Sequence, residues 1–192
     1  PPKRVKAPIN ALSREERTRM LRLAMQAEPQ PLGFAVEIAL ATGMRRDEVC
    51  ALRWSDLSDD GTITVSHAPG DGDGGSHVER PKAGSSARTT PPTKRLDTML
   101  SARRRDAERV ARETGVALGD PCAPGTRKER GLPHNPTRLG EDLSAFRRVN
   151  GLSCAFHDPR RTLATMMIAG GCDVRTAASC LGHASASMAP DV

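Results

Sequence analysis

The chain has 192 residues, with 29 Lys+Arg against 23 Asp+Glu, a formal net charge of +6 and a pI near 9.5. That length fits one domain with a sizeable core, and the positive balance favours a polyanionic partner without identifying which. There is no apolar run long enough to span a bilayer and no charged-then-apolar leader, so a membrane span and a signal peptide are not expected and a cytoplasmic location is. The five cysteines at 50, 122, 154, 172 and 180 are odd in number and lack a Cys-x-x-Cys pair, as expected of reduced, mostly buried thiols.

In chain order, residues 1–11 are basic and proline-containing and read as a linker. Ser13-Arg-Glu-Glu16 is a capping box that opens a helix ending near Ala27, its apolar stripe carried by Met20, Leu21, Leu23 and Ala24. Pro31 starts a second helix, Leu32 to Thr42, with Gly43 as its stop. A short helix from about Arg46 to Leu52 follows, which places Arg45 at a joint between two helices. Asp59-Asp60-Gly61 is a turn and Thr62 to Val65 alternates as a strand does. The Gly/Asp-rich stretch Pro69 to Ser76 reads as a loop tip, and its Asp71 and Asp73 are better explained as solvated carboxylates than as metal ligands. Strand-like residues resume at Val78, and a hairpin closes from Glu79 to Thr90 with Lys82 inside it.

Thr93 to about Glu113 is a charged helix with Leu96, Met99 and Leu100 buried early; its Arg103-Arg104-Arg105 run is expected on a solvated face rather than as a phosphate track. Gly115 to Pro133 is loop-rich. Asn135-Pro136 caps a helix running to Val149, and Asp173 caps a last one, Val174 to Leu181, ended by Gly182. The expected class is therefore mainly α with a small antiparallel β-sheet, an α+β domain.

The stretch His157-Asp-Pro-Arg160-Arg-Thr-Leu-Ala-Thr carries the most chemistry. Asp158 as N-cap and Pro159 as first helical residue predict a helix to about Ala169, whose free N–H groups would attract an anion. His157 and Arg160, three residues apart, could converge on one phosphate. The bland alternative is an amphipathic helix whose apolar side is Leu163, Met166, Met167 and Ile168. Leu181-Gly182-His183 follows, with His183 23 residues after Arg160.

Far upstream lies Thr42-Gly43-Met44-Arg45-Arg46-Asp47-Glu48, followed by Leu52, with Arg45 placed 115 residues before Arg160. Together these stretches resemble the tyrosine recombinase (phage integrase) family, whose first box is Thr-Gly-x-Arg-x-x-Glu and whose second is His-x-x-Arg followed by Leu-Gly-His. The resemblance spans nearly the whole chain and implies the catalytic-domain fold of that family, with residues 1–11 a linker from an N-terminal core-binding domain and 12–192 the catalytic domain. It also implies site-specific cleavage and rejoining of double-stranded DNA attachment sites through a 3′-phosphotyrosyl intermediate. The resemblance implies that no metal or nucleotide cofactor takes part. The enzyme would act as a homotetramer on paired sites, aided by accessory DNA-bending proteins, in a bacterial or phage-encoded setting on DNA and away from membranes.

By the same resemblance, Arg45 and Arg160 clamp the scissile phosphate, and a guanidinium suits this because its fork offers paired N–H groups and stays charged. His157 assists proton transfer from the nucleophile, and His183 hydrogen-bonds the phosphate or leaving group. Lys82, in the turn Pro81-Lys-Ala-Gly-Ser-Ser-Ala-Arg-Thr-Thr-Pro, is the general acid toward the 5′ oxygen; its bland alternative is an ordinary exposed lysine. Glu48 orients the arginine. Arg161 stands where the family most often has a second histidine, so it can contact DNA but cannot act as a neutral base. The family's nucleophilic tyrosine falls about ten residues after His183, at about 193, whereas the sequence contains no Tyr and stops at Val192. These residues alone are therefore expected to cut nothing. A type IB topoisomerase-like enzyme, or a non-catalytic DNA-binding module with a helix-turn-helix around Gly170-Gly171, are the rival readings.

Overall fold

In the computed structural model the described residues are 11–27, 30–65, 68–69, 78–79, 88–91, 93–115, 117, 119, 121–122 and 133–182. Among them are the helices α1 (Arg14–Ala24), α2 (Gln30–Thr42), α3 (Arg46–Ala51), α4 (Lys94–Thr114), α5 (Pro136–Asn150), α6 (Asp158–Ala169) and α7 (Val174–Cys180), and a 3-10 turn at Trp54–Asp56. The short strands β1 (Ile63–Val65) and β4 (Arg88–Thr90) pair antiparallel with Ile63 opposite Thr90. So do β2 (Ala68–Pro69) and β3 (Val78–Glu79), with Ala68 opposite Glu79. This is the mainly helical architecture with a small antiparallel β component that the sequence predicts.

The core is built around α2. Every residue from Leu32 to Ala39 is buried, and the helix packs on α1, α3, α5 and α6. A helix that is apolar on all sides belongs in the centre. Its one charged residue, Glu37, is answered by Arg95 at 2.9 Å. Around it, Met20 of α1, Val49 of α3, Ile63 of β1, Leu96 of α4 and Leu139 of α5 complete a single cluster.

Side-chain caps set most helix starts. The Ser13 hydroxyl accepts from the Glu16 N–H at 3.1 Å while the Glu16 carboxylate accepts from the Ser13 N–H at 2.7 Å. Asn135 accepts from the N–H groups of Thr137 and Arg138, and Asp173 from that of Thr176. These satisfy donors that no helical carbonyl can reach. α1 stops at Ala24 rather than near Ala27, because the N–H groups of Gln26 and Ala27 bond only three residues back, to Leu23 and Ala24, and so tighten the chain out of the helix.

The arginine run on α4 differs from expectation. Arg103 shares a face with Leu96 and Leu100, so it turns inward: its guanidinium carbon lies 5.7 Å from the Phe34 ring centroid, and Nε donates to the Cys122 carbonyl at 3.3 Å. Arg104 pairs with Glu108 on the surface and Arg105 is exposed. Cys50, Cys122 and Cys154 are buried, and Cys172 and Cys180 are half-buried. No helix among the described residues is long and apolar enough to cross a membrane.

Candidate active site

Helix α6 is inverted relative to an ordinary amphipathic helix. Its buried residues are Asp158, Pro159, Arg160, Thr162 and Ala164, while Met166 is 46% exposed. Burying a charge without partners costs several kcal/mol, on the order of 3–5 for a broken buried pair, so each of these polar groups must be answered from within the fold. Thr162 donates to the Asp158 carbonyl at 2.6 Å and accepts the Leu12 N–H at 2.8 Å, which ties the segment entering α1 to α6. Asp158 is the first helical residue and not the N-cap; that place falls to His157, which has helical φ and makes no side-chain cap. The Asp158 carboxylate instead turns back and accepts the Ala155 N–H at 2.5 Å, fixing the loop that delivers the helix.

Arg160 joins two helix ends. Its Nη1 donates to the carbonyl of Gly43, just past α2, at 2.8 Å, and its Nη2 donates to the carbonyl of Leu181, just past α7. Carbonyls at helix C-termini lack intrahelical partners and carry the negative end of the helix dipole, which makes them natural acceptors for a buried guanidinium. Gly43 permits this approach. It has φ +65°, and a Cβ there would stand 2.4 Å from Leu181 Cδ2 and 3.1 Å from Leu163 Cδ2. Arg160 keeps further N–H donors beyond the two in use.

Arg45 is the last of the three residues between α2 and α3, with φ −69° and ψ 157°. Its Nη1 donates to Glu48 Oε1 at 2.9 Å, its backbone N–H to Glu48 Oε2 at 2.8 Å, and its Nη2 reaches the Gly182 carbonyl at 3.4 Å. Glu48 is buried, whereas the Arg45 side chain remains 40% exposed, so the guanidinium is held from beneath and open from above. A third guanidinium completes the cluster. Arg88 at the start of β4 donates to both Glu48 oxygens, at 3.0 and 2.7 Å, and its side chain is only 4% exposed. Arg88 was not among the residues singled out from sequence, since an arginine after a Gly/Ser-rich turn carries no local signal.

Three guanidiniums around one carboxylate leave this cluster positively charged. Burial pushes the Arg160 guanidinium down to about 10, with repulsion from Arg45 and Arg88 adding to the effect and Glu48 opposing it. It stays protonated at neutral pH and is poised to gain from an anion. Burial alone would raise the Glu48 carboxyl, but the bonds and charges of Arg88 and then Arg45 outweigh it and hold it below the ordinary 4.5. A carboxyl lowered in the folded state contributes stability above its unfolded pKa and loses it as pH falls through the folded value. Thermal melts are accordingly expected to be level from neutral pH down to about 5 and to decline in more acid solution. Glu48→Gln should flatten that decline, and an unchanged acid limb in the variant would count against it.

The structure thus brings together Arg45, Glu48 and Arg160 of the residues chosen from sequence. His157 and Arg161 lie exposed at the start of α6, with Arg161 Nη1 3.6 Å from Asp158 Oδ1. Lys82 and His183 fall outside the described residues, as do Asp71 and Asp73 and residues 1–10. The residue before His183 is placed, however: Gly182, φ +68°, packs against Arg88, where a Cβ would meet Nη1 at 3.0 Å.

A helical domain with arginines gathered between the ends of α2 and α7 has the fold of a tyrosine recombinase catalytic domain. Among solved structures, the transposon Tn1549 integrase in complex with transposon right end DNA superposes with a TM-score of 0.77 at 19% identity, covering 96% of this chain and 61% of that one. XerA recombinase gives 0.69 at 19% identity over 92% of this chain and 57% of that one. The lambda integrase catalytic core gives 0.64 at 21% identity over 90% and 91%. No curated protein matches. The phage integrase family model matches residues 10–191, and the chain belongs to that family. It spans about three-fifths of the length of the Tn1549 integrase structure.

Proposed function

We propose that this chain is the catalytic domain of a DNA recombinase that cuts and rejoins duplex DNA through a 3′-phosphotyrosyl intermediate. The observation that carries the reading is the buried Arg160, fixed to two helix-end carbonyls beside a half-open Arg45, in a cluster with excess positive charge. Two guanidiniums so placed suit the two non-bridging oxygens of one phosphodiester and would stabilise the charge that grows on them as the phosphorus becomes five-coordinate. A tyrosine oxygen attacks, the bond from phosphorus to the 5′ oxygen breaks, and the 3′ phosphate is left joined to the tyrosine. Attack by a 5′ hydroxyl reverses these steps, so the phosphoester bond is conserved and the DNA can be resealed.

In this reading His157 accepts the tyrosine proton, Lys82 gives one to the 5′ oxygen, and His183 hydrogen-bonds the phosphate or leaving group. Glu48 holds Arg45, and Arg161 touches the DNA backbone. The 192 residues include no tyrosine, so by themselves they supply the phosphate site and not the attacking group. Residues 12–192 form the catalytic domain and 1–11 the link to a core-binding domain. The acting species is a homotetramer on paired attachment sites, assisted by DNA-bending proteins, in the cytoplasm of a bacterial host.

The test incubates the full-length natural protein with a nicked duplex carrying its attachment site, from which a short cleaved strand diffuses away and traps the intermediate. A denaturant-resistant protein–DNA adduct mapping to a tyrosine at about 193 is the expected result. Tight binding with no adduct would hand the site to the binding-module reading. Supercoil relaxation by a monomer, independent of a paired site, would favour the topoisomerase-like one.

A further inference from the structure

Arg88 is buried, its side chain only 4% exposed, and nothing in the scheme above uses it. Its two Nη atoms take one oxygen each of Glu48, at 3.0 and 2.7 Å. The same two oxygens accept the Arg45 side chain at 2.9 Å and the Arg45 backbone at 2.8 Å. A carboxylate bonded only to Arg45 could swing about its own side-chain torsions. Bonded in a fork by Arg88 as well, it becomes a fixed two-point acceptor. Arg88 also lies against Gly182, where the absence of a Cβ lets the guanidinium approach the backbone. Arg88 therefore sits where three segments meet: strand β4, the start of α3 with Arg45, and the turn Leu181–Gly182 after α7.

We propose that Arg88 is a positioning residue of the phosphate site, fixing Arg45 through Glu48 and fixing the turn before His183 through Gly182. The inference rests on the recombinase reading. Arg88 is buried, so it needs no contact with DNA, and its removal should leave affinity almost unchanged while slowing chemistry. A lysine keeps the charge but offers no planar fork, so it should restore the activity only in part. A residue acting through an arginine clamp should also matter less when the clamped charge is smaller.

The experiment uses the full-length protein and the trapping duplex in two forms, one with an ordinary scissile phosphate and one with a neutral methylphosphonate in its place. Wild type, Arg88→Ala and Arg88→Lys are compared for adduct formation in a single turnover and for dissociation constant. Arg88→Ala is expected to slow cleavage of the phosphate about 100-fold, with Kd within about threefold, and to show a deficit below about tenfold on the methylphosphonate. Arg88→Lys should fall between it and wild type. Should Arg88→Ala not fold, the same ratio of deficits is read from Arg88→Lys. Wild-type rates in the variants would overturn the proposal, as would equal slowing on both substrates, which marks a residue that only holds the fold. If wild type itself forms no adduct on the phosphate, the recombinase reading fails and takes this assignment with it.

Discussion

Arg160→Ala in the full-length protein is expected to slow covalent-complex formation about 10³-fold while changing DNA affinity little, because its contribution grows as charge develops in the transition state. The loss has two sources. One is the missing donor to a phosphate oxygen. The other is that the carbonyls of Gly43 and Leu181, which Arg160 bridges, lose their shared partner, so the ends of α2 and α7 are free to separate. Arg160→Lys tells these apart, since an ammonium keeps the charge but cannot reach two carbonyls with one planar fork. It should retain part of the melting temperature while leaving the rate down by about 100-fold. Single-turnover adduct formation and equilibrium DNA binding read the two quantities separately. Equal losses in rate and affinity would contradict the clamp role and point to simple electrostatic attraction for DNA, which a salt titration would reveal as a shallower slope.

The second large effect is on stability. Glu48→Ala is expected to destabilise the domain by about 3–5 kcal/mol, because it strands Arg88, 4% exposed, with no carboxylate to face. For a chain of this size that corresponds to a fall in Tm on the order of 10 °C, measurable by calorimetry. Pairing it with Arg88→Met removes the stranded charge as well and should recover much of the loss, since a buried ion pair replaced whole by apolar groups is often close to neutral. It should not recover cleavage, because Arg45 would then keep only its long 3.4 Å bond to the Gly182 carbonyl. A single variant that melts within about 1 kcal/mol of wild type would mean that water reaches Arg88 and that the pair is not buried in solution.

Much of this was legible in the sequence, for reasons that are local. Ser13, Asn135 and Asp173 announce helix starts because each satisfies N–H groups two or three residues away, and Gly43 announces a stop because a left-handed residue is needed there. The two boxes around Arg45 and Arg160 could be paired only by family resemblance. Nothing in their spacing says that Gly43 O and Leu181 O would share one guanidinium. Arg88 was overlooked for the same reason: its partner Glu48 lies 40 residues away, and a strand of Arg-Thr-Thr shows neither charge pattern nor periodicity. Asp158 was misread because a carboxylate before Pro159 is a good N-cap by type, yet here the Ala155 N–H of the preceding loop competes for it and wins. On α6 the hydrophobic pattern pointed to Met166, while pairing requirements put Arg160 and Thr162 inside instead.

The reach of these contacts bears on how the domain comes into being. Arg160 bonds across 117 residues to Gly43, and Arg45 across 137 residues to Gly182. Bonds that close loops of this size form late, after the intervening helices have docked and the entropy of closure has been met. A nascent chain, or one cleaved between α3 and α6, can hold native helices and still possess no paired arginines. The arginine cluster that joins α2, α6 and α7 should therefore assemble in a single step at the end of folding.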